Sequence, residues 1–258
     1  MIYNIMALIW HIVEVFKKMK KIDIHNHILP GLDDGAKNEK VSLDMLRMAA
    51  EDGITHLIAT PHFHYRRGHA APEQIRSALT RMQEMADEQE IPVRLYAGNE
   101  LYYTHDLLEM VKAKEALSLA DSDYVLLEFS PETDQRKIQN AVYQFLSEGY
   151  YPVIAHMERY QAFNKQPDFV ETILKMGAYY QVNAGSITGN AGWALKRFTR
   201  RMMKSGMIQF VATDAHDLQN RQPRLETALD WTEKKLGESE MKDYMCENPL
   251  KILENKAL

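Results

Sequence analysis

From Lys21 onward the chain alternates two patterns: short runs rich in β-branched and aromatic residues, and longer stretches whose apolar positions recur at the helical period. Gly, Pro, Asn or Asp separates them. The short runs predict seven strands, at residues 21–26, 55–60, 93–98, 124–129, 151–155, 179–183 and 208–213. The longer stretches predict helices at 39–52, 72–89, 106–114, 136–148, 168–176 and 193–205, with two more near 224–236 and 238–246. In the first helix Val41, Leu43, Met45, Leu46, Met48 and Ala49 share roughly one face, and Gly53 stands just past its end, where a C-terminal cap is expected. Strands alternating with helices predict parallel strands joined by right-handed crossovers, either an open doubly wound sheet or a closed barrel. No internal repeat, low-complexity tract or Pro/Gly/Ser linker divides the chain, so residues 19–258 read as one domain.

Residues 2–16 break this pattern. They are almost wholly apolar, interrupted by Asn4, His11 and Glu14, and are followed by Lys17, Lys18, Lys20 and Lys21. The run is short for a spanning helix, which needs roughly 17–25 residues, and its positive charge follows the apolar part instead of preceding it as in a signal peptide. Residues 1–18 therefore read as an extension outside the domain. It is either an interfacial helix with a basic flank or a stretch upstream of a true start at Met19, and the strand that begins immediately afterwards favours Met19.

Composition narrows the class. The chain has 258 residues, of which 45% are hydrophobic and 26% charged, which excludes disorder as the main state and suits a single α/β barrel. A formal charge of -5 excludes generic nucleic-acid binding, which depends on clustered Lys and Arg. The single Cys246 excludes a disulfide framework and a Cys-rich zinc module. It fits a reducing compartment, so the cytoplasm is the expected location, at the inner face of the membrane if the extension is interfacial.

The chemically capable residues decide between open sheet and barrel. His25 and His27 end the first strand, His62 the second, Glu100 the third, Glu128 the fourth, His156 the fifth, and Asp214 and His216 the seventh. All sit at carboxyl ends, the face where the loops of a parallel α/β barrel build an active site, whereas an open sheet would spread them over two crevices. His25 with His27, and Asp214 with His216, are two apart, so in extended backbone each pair points to one side. With Asp34 from the first loop the set holds five His and four carboxylates. Such a mixture suits Mn, Fe or Zn better than Mg or Ca. Nine ligands are too many for one ion and fit two or three, with neighbours about 3.5–4 Å apart. A lone buried His or a strand-end Glu is ordinarily structural; recurrence at the same place on successive strands is not. His11, His56, His69 and His105 lack that placement and read as ordinary side chains, while His64 and Asp23 lie near the set as ligands or supporting partners.

Taken together, certain motifs resemble a known family. They are His25-Asn26-His27 after Ile22-Asp23-Ile24, Leu29-Pro30-Gly31-Leu32-Asp33-Asp34-Gly35, Thr60-Pro61-His62, Gly98-Asn99-Glu100, Leu127-Glu128-Phe129, Ile154-Ala155-His156-Met157-Glu158-Arg159 and Thr213-Asp214-Ala215-His216. They resemble the polymerase and histidinol phosphatase superfamily, and within it the bacterial manganese-dependent tyrosine phosphatases encoded with capsule and exopolysaccharide genes. The likeness runs from about Met19 to the carboxyl terminus; the segment before Met19 has no counterpart in it.

The resemblance implies a single-domain, TIM-like distorted (β/α)7 barrel with a three-metal centre, most simply Mn with Fe or Zn as alternatives. Its ligands would be His25, His27, Asp34, His62, Glu100, Glu128, His156, Asp214 and His216. Arg159 and Arg221 match positions expected to hold the substrate phosphate, the planar guanidinium fork binding two phosphate oxygens at once. Four carboxylates against three divalent ions leave a positive centre that attracts a phosphate dianion and acidifies bound water. His216 or His156 is within the chemistry of a proton donor, in competition with metal ligation, and a phenolate leaves with little help. The implied substrate is phosphotyrosine on a bacterial tyrosine kinase that controls polysaccharide assembly. Rival chemistries lack their residues: Ile252, not Arg, stands six positions after Cys246, and there is no Gly-x-Ser-x-Gly, Walker A or Gly-x-Gly-x-x-Gly run. The Gly-rich stretch 185–192 follows a strand and reads either as lining of the phosphate site or, by preference, as a plain loop. Two other functions compete, turnover of a small phosphomonoester such as histidinol phosphate and noncatalytic binding of a phosphorylated partner. Retention of all nine residues speaks against the latter.

Overall fold

The computed structural model describes residues 20–65 and 68–258. The expected extension at 1–18, with its two readings, lies outside the described residues. Nine parallel strands are present among the described residues: β1 (Lys21–Asn26), β2 (Ile54–Ala59), β3 (His62–Phe63), β4 (Arg94–Ala97), β5 (Glu100–Tyr102), β6 (Tyr124–Glu128), β7 (Tyr151–Ile154), β8 (Tyr179–Asn183) and β9 (Phe210–Ala212). They form two hydrogen-bonded sheets, β1-β2-β4 and β3-β5-β6-β7-β8-β9.

The seven expected strands become nine because two are interrupted. Between β2 and β3 stands Pro61, which has no N–H for a ladder, and between β4 and β5 stand Gly98 and Asn99. Asn99 bridges both breaks, donating from Nδ2 to the Pro61 carbonyl (2.8 Å) and accepting from the Leu117 amide (2.9 Å). A Cβ at Gly98 would come within 3.2 Å of Ile58 and Leu119, so the strand end lies close against the interior. The ring closes where the Asp214 amide donates to the His25 carbonyl and the His27 amide to the Ala215 carbonyl, both at 2.8 Å. A distorted barrel of seven staves results.

Alternation along the strands sorts the core into two layers. Tyr124 and Leu126, Val153 and Ala155, and Phe210 and Ala212 join Ile22, Ile24 and Ile58 in an inner cluster, while Val125, Leu127, Ile154, Val182 and Val211 meet the surrounding helices. The next inward position on β6 is Glu128, and on β8 Gln181 and Asn183. Polar groups thus begin at the carboxyl rim, where the apolar inner layer ends.

The helices lie close to their expected bounds, as in Glu39–Glu51, where the Asn38 side chain accepts from the Val41 amide (3.0 Å) and Gly53 adopts φ +83° past the end. Two expectations need correction. The stretch 185–192 is not a plain loop: Ala184–Thr188 form a short helix closed by Gly189 at φ +108°. Its Gly, Ser and Thr have poor helix propensity, and it is held from outside, by Arg200 Nε donating to the Ile187 carbonyl at 2.9 Å. The last helix is not continuous over 238–246 but runs as Glu238–Lys242, a wider turn at Asp243–Glu247, and Asn248–Leu253. Pro249 has no N–H to give the Met245 carbonyl, so the regular ladder cannot continue there. A further helix, Gln161–Lys165, precedes Pro167–Met176. No helix among the described residues is long and apolar enough to cross a membrane.

Candidate metal centre

The rim brings all nine expected side chains together, with Glu100 at the middle. Glu100 Oε2 lies 3.2 Å from His25 Nε2, 3.2 Å from His27 Nε2 and 3.0 Å from His62 Nδ1, and Glu100 Oε1 lies 2.7 Å from His156 Nε2. Three overlapping groups have ligand atoms close enough to share an ion: His25, His27, Glu100 and Asp214; His27, Asp34, His62 and His216; and His62, Glu100 and Glu128. His156 joins through Glu100 and stands 3.8 Å from Glu128 Oε1. Asp34, two-thirds exposed, reaches in from the first loop with Oδ1 3.4 Å from both His62 Nε2 and His216 Nε2.

The chemistry of this donor set fits divalent cations. Four of the five imidazoles have Nδ1 engaged from behind: His25 by Gln181 Oε1 (3.1 Å), His27 by Asp33 Oδ2 (2.6 Å), His156 by the Tyr160 hydroxyl (3.3 Å) and His216 by the Asp214 carbonyl (3.0 Å). That leaves Nε2 of each ring aimed at the centre, the arrangement by which proteins orient imidazole ligands. His25 Nε2 and His27 Nε2 are only 3.3 Å apart. Glu100 Oε2 and His216 Nε2 are buried without a hydrogen-bond partner. Buried polar atoms are normally satisfied, and converging lone pairs of this kind are what a cation satisfies.

The electrostatics point the same way. Burial opposes the charged form of Asp214 and of Glu100, yet His25 and its neighbours outweigh it and hold both carboxyls well below the usual range. Burial likewise opposes protonation of His25 and His27, but the surrounding carboxylates raise both. Burial and the Glu100 charge push Glu128 up. The site therefore demands positive charge at its centre. Two of the seven described non-glycine residues with positive φ stand here: His156 (φ +31°) and Asp214 (φ +53°) are left-handed at a cost of roughly 1–3 kcal/mol each.

Arg159 and Arg221 meet at Asp214. Arg159 Nη2 donates to Oδ2 at 2.8 Å and Arg221 Nη2 lies 2.5 Å from Oδ1, while both side chains remain about one-third exposed (37% and 36%). They line a cleft of about 260 Å³ together with Asn183, Ser186, Thr188 and Arg224. It is smaller than the usual pocket for a drug-sized ligand and suits a side chain.

Several contributors escaped sequence reasoning. Asp33 orients His27 and accepts from the His62 and Gly35 amides (3.0 and 2.9 Å). Gln181 accepts from the His156 amide (2.7 Å), and Asn183 Nδ2 donates to Asp214 Oδ2 (2.7 Å). Gln181 and Asn183 are two apart at a strand end, the spacing that drew attention to His25 and His27, and that signal was available. Asp23 lies beneath the centre as a supporting residue, accepting from the Thr213 amide and hydroxyl (3.0 and 2.6 Å). His64 stacks on Tyr102, His56 on Tyr96, and His69 packs on Phe63; His105 is exposed. None of these four belongs to the three groups.

Two expected outcomes follow. Gly35 has no room for a side chain, because a Cβ would fall 2.1 Å from the His27 carbonyl oxygen and 2.5 Å from His27 Cβ. Gly35→Ala must displace the loop bearing Asp33 and Asp34, and should lower the melting temperature by roughly 5–10 °C and reduce metal uptake; thermal melts paired with elemental analysis check both. Asp33→Asn keeps the shape but removes the charge behind His27, and metal titration should read an affinity lower by about 10- to 100-fold with the fold intact.

The sequence matches the family described as "Capsular polysaccharide synthesis, CpsB/CapC" over residues 21–254. It is 34% identical over 237 residues to the tyrosine-protein phosphatase YwqE of Bacillus subtilis (strain 168), covering 92% of this chain and 93% of that one. To the tyrosine-protein phosphatase CpsB of Streptococcus pneumoniae it is 33% identical over 237 residues, covering 90% and 98%. A crystal structure from work on YwqE and CpsB, described as unique metal-dependent tyrosine phosphatases, superimposes with a TM-score of 0.87 at 34% identity, over 92% of this chain and 96% of that one. The phosphotriesterase from Mycobacterium tuberculosis superimposes with a TM-score of 0.59 at 10% identity, over 93% and 96%, a likeness of fold alone.

Proposed function

The chain belongs to the CpsB/CapC capsular polysaccharide synthesis family, and on that premise we propose that it is a metal-dependent protein-tyrosine phosphatase. The observation that carries this reading is the convergence of nine imidazole and carboxylate groups on one rim, with two guanidinium groups held on its Asp214. We further assign three divalent ions to the centre, manganese being the first candidate, and phosphotyrosine on a bacterial tyrosine kinase as the substrate.

In this reading His25, His27, Asp34, His62, Glu100, Glu128, His156, Asp214 and His216 hold the ions. Bound there, divalent cations supply Lewis acidity toward phosphoryl oxygens and an acidified water. Arg159 and Arg221 receive the phosphate: their exposed guanidinium edges face the cleft, while Asp214 fixes them from the inner side. Two forks converging from one anchor orient a phosphoryl group and neutralise the charge that spreads over its oxygens in the transition state. Burial, together with His27 and Arg221, lowers the His216 imidazolium to about 4. A neutral ring is a ligand and not a proton donor at pH 7, which is compatible with a phenolate leaving group that needs little protonation.

The test is direct. Protein supplied with Mn should release phosphate from phosphotyrosine peptides, chelation should abolish release, and elemental analysis should find three ions per chain. Faster turnover of histidinol phosphate than of any phosphotyrosine peptide would replace the substrate assignment. Metal binding without turnover of either would leave only a phosphoprotein-binding barrel.

A further inference from the structure

Beyond the cleft lies a surface that the overall charge of -5 conceals. The helix Trp193–Lys204 carries Lys196, Arg197, Arg200, Arg201 and Lys204 and no acidic residue. Among the described residues none of these five cations has an ion-pair partner. Instead Arg197 lies over the Trp193 ring (5.4 Å), Arg201 over Phe198 (5.5 Å) and Arg200 over Trp231 (4.4 Å). Trp193 itself is 72% exposed. Ten other Lys and Arg among the described residues have a carboxylate within 4 Å, as Arg76 has Asp121 and Lys242 has Glu238; this row, five cations on one helix, has none.

The row also begins beside the cleft that Arg159 and Arg221 line. Ala191, which lines the cleft, is two residues before Trp193. Lys196 lies along Gly189, where a Cβ would meet its Cδ at 3.0 Å, and Arg200 bonds the Ile187 carbonyl. The short helix Ala184–Thr188 thus joins the cleft arginines to the basic helix in one positive track. The cleft end of the track adds Arg224, whose only carboxylate neighbour among the described residues, Glu51, is 3.8 Å away. At about 1.5 Å per residue the helix extends the track by roughly 17 Å, the length of about five extended residues.

We propose that this track docks an acidic stretch of polypeptide adjoining the phosphotyrosine, so that the phosphatase selects phosphotyrosines flanked by Asp and Glu. The inference rests on the phosphatase reading and adds a substrate class to it. Clustered unpaired cations both attract such a chain and fix its direction, mainly through association rate and at low salt. Exposed Trp and Arg are the residue types that anchor interfaces.

The test uses the full chain loaded with Mn and the triple variant Arg197→Glu, Arg201→Glu, Lys204→Glu, whose side chains are exposed and outside the centre. Four substrates are compared: p-nitrophenyl phosphate and phosphotyrosine peptides with acidic, neutral or basic flanks. The native chain should prefer acidic over neutral flanks by at least about tenfold in kcat/KM, with the preference shrinking as salt rises. The variant should lose that preference and turn over p-nitrophenyl phosphate and the neutral peptide within about twofold of the native rate. Equal turnover of all three peptides by the native chain, or an undiminished preference in the variant, overturns the proposal. So does retained acidic preference in a variant that no longer binds phosphatidylglycerol vesicles, which would assign the track to an anionic lipid surface. Hydrolysis of p-nitrophenyl phosphate with none of any peptide would instead reject the protein-phosphatase reading on which the proposal stands.

Discussion

Asp214→Asn should reduce phosphate release from phosphotyrosine peptides by at least about a thousandfold, equivalent to roughly 4 kcal/mol of transition-state stabilisation. The substitution is chosen because Asn tolerates the left-handed backbone that Asp214 occupies at φ +53°. It also keeps an oxygen for the hydrogen bonds from Asn183 and Arg159. What it removes is charge at the point where three groups converge. Asp214 Oδ1 lies 3.5 Å from His25 Nε2, 3.6 Å from His27 Nε2 and 2.5 Å from Arg221 Nη2. An amide NH2 in that place repels the guanidinium and cannot bind a cation. Metal content and activity should fall together while the far-UV spectrum is unchanged. Activity within tenfold of the native protein would remove Asp214 from the centre.

Arg159→Lys and Arg221→Lys should each lower kcat/KM by about a hundredfold, roughly 2.7 kcal/mol, with metal content retained. Lys preserves the charge but not the planar fork, so it cannot hold two phosphate oxygens while remaining on Asp214. Both arginines are about one-third exposed, and the melting temperature should move little. Because they share an anchor, the double variant should lose less than the product of the two single losses. Steady-state kinetics on a phosphotyrosine peptide decides the matter; a kcat/KM preserved in both single variants would show that neither arginine handles the phosphate.

The residues that brought this centre to light were visible because strand ends are local features. A β-branched run with His or a carboxylate at its carboxyl end can be read in place, and six of the expected strands carried one. The helix Trp193–Lys204 was equally legible as a helix, but its charge was lost in a total of -5, since a net charge averages over faces that the fold separates. Likewise Asp33 was overshadowed by its neighbour Asp34. Their different tasks, one behind His27 and one reaching toward His62 and His216, depend on how the loop is folded.

The amino-acid order by itself determined the alternation of strand and helix, the parallel arrangement, and which side chains stand at the carboxyl rim. The reason is that periods of 2 and 3.6 are imposed by each residue's nearest neighbours. Only the tertiary structure decided how those side chains are aimed. His25 is turned by Gln181, 156 residues away, and β1 is locked to the end of β9 through Asp23 and Thr213, 190 residues apart. Contacts across such separations form when the ring closes, and no local period encodes them.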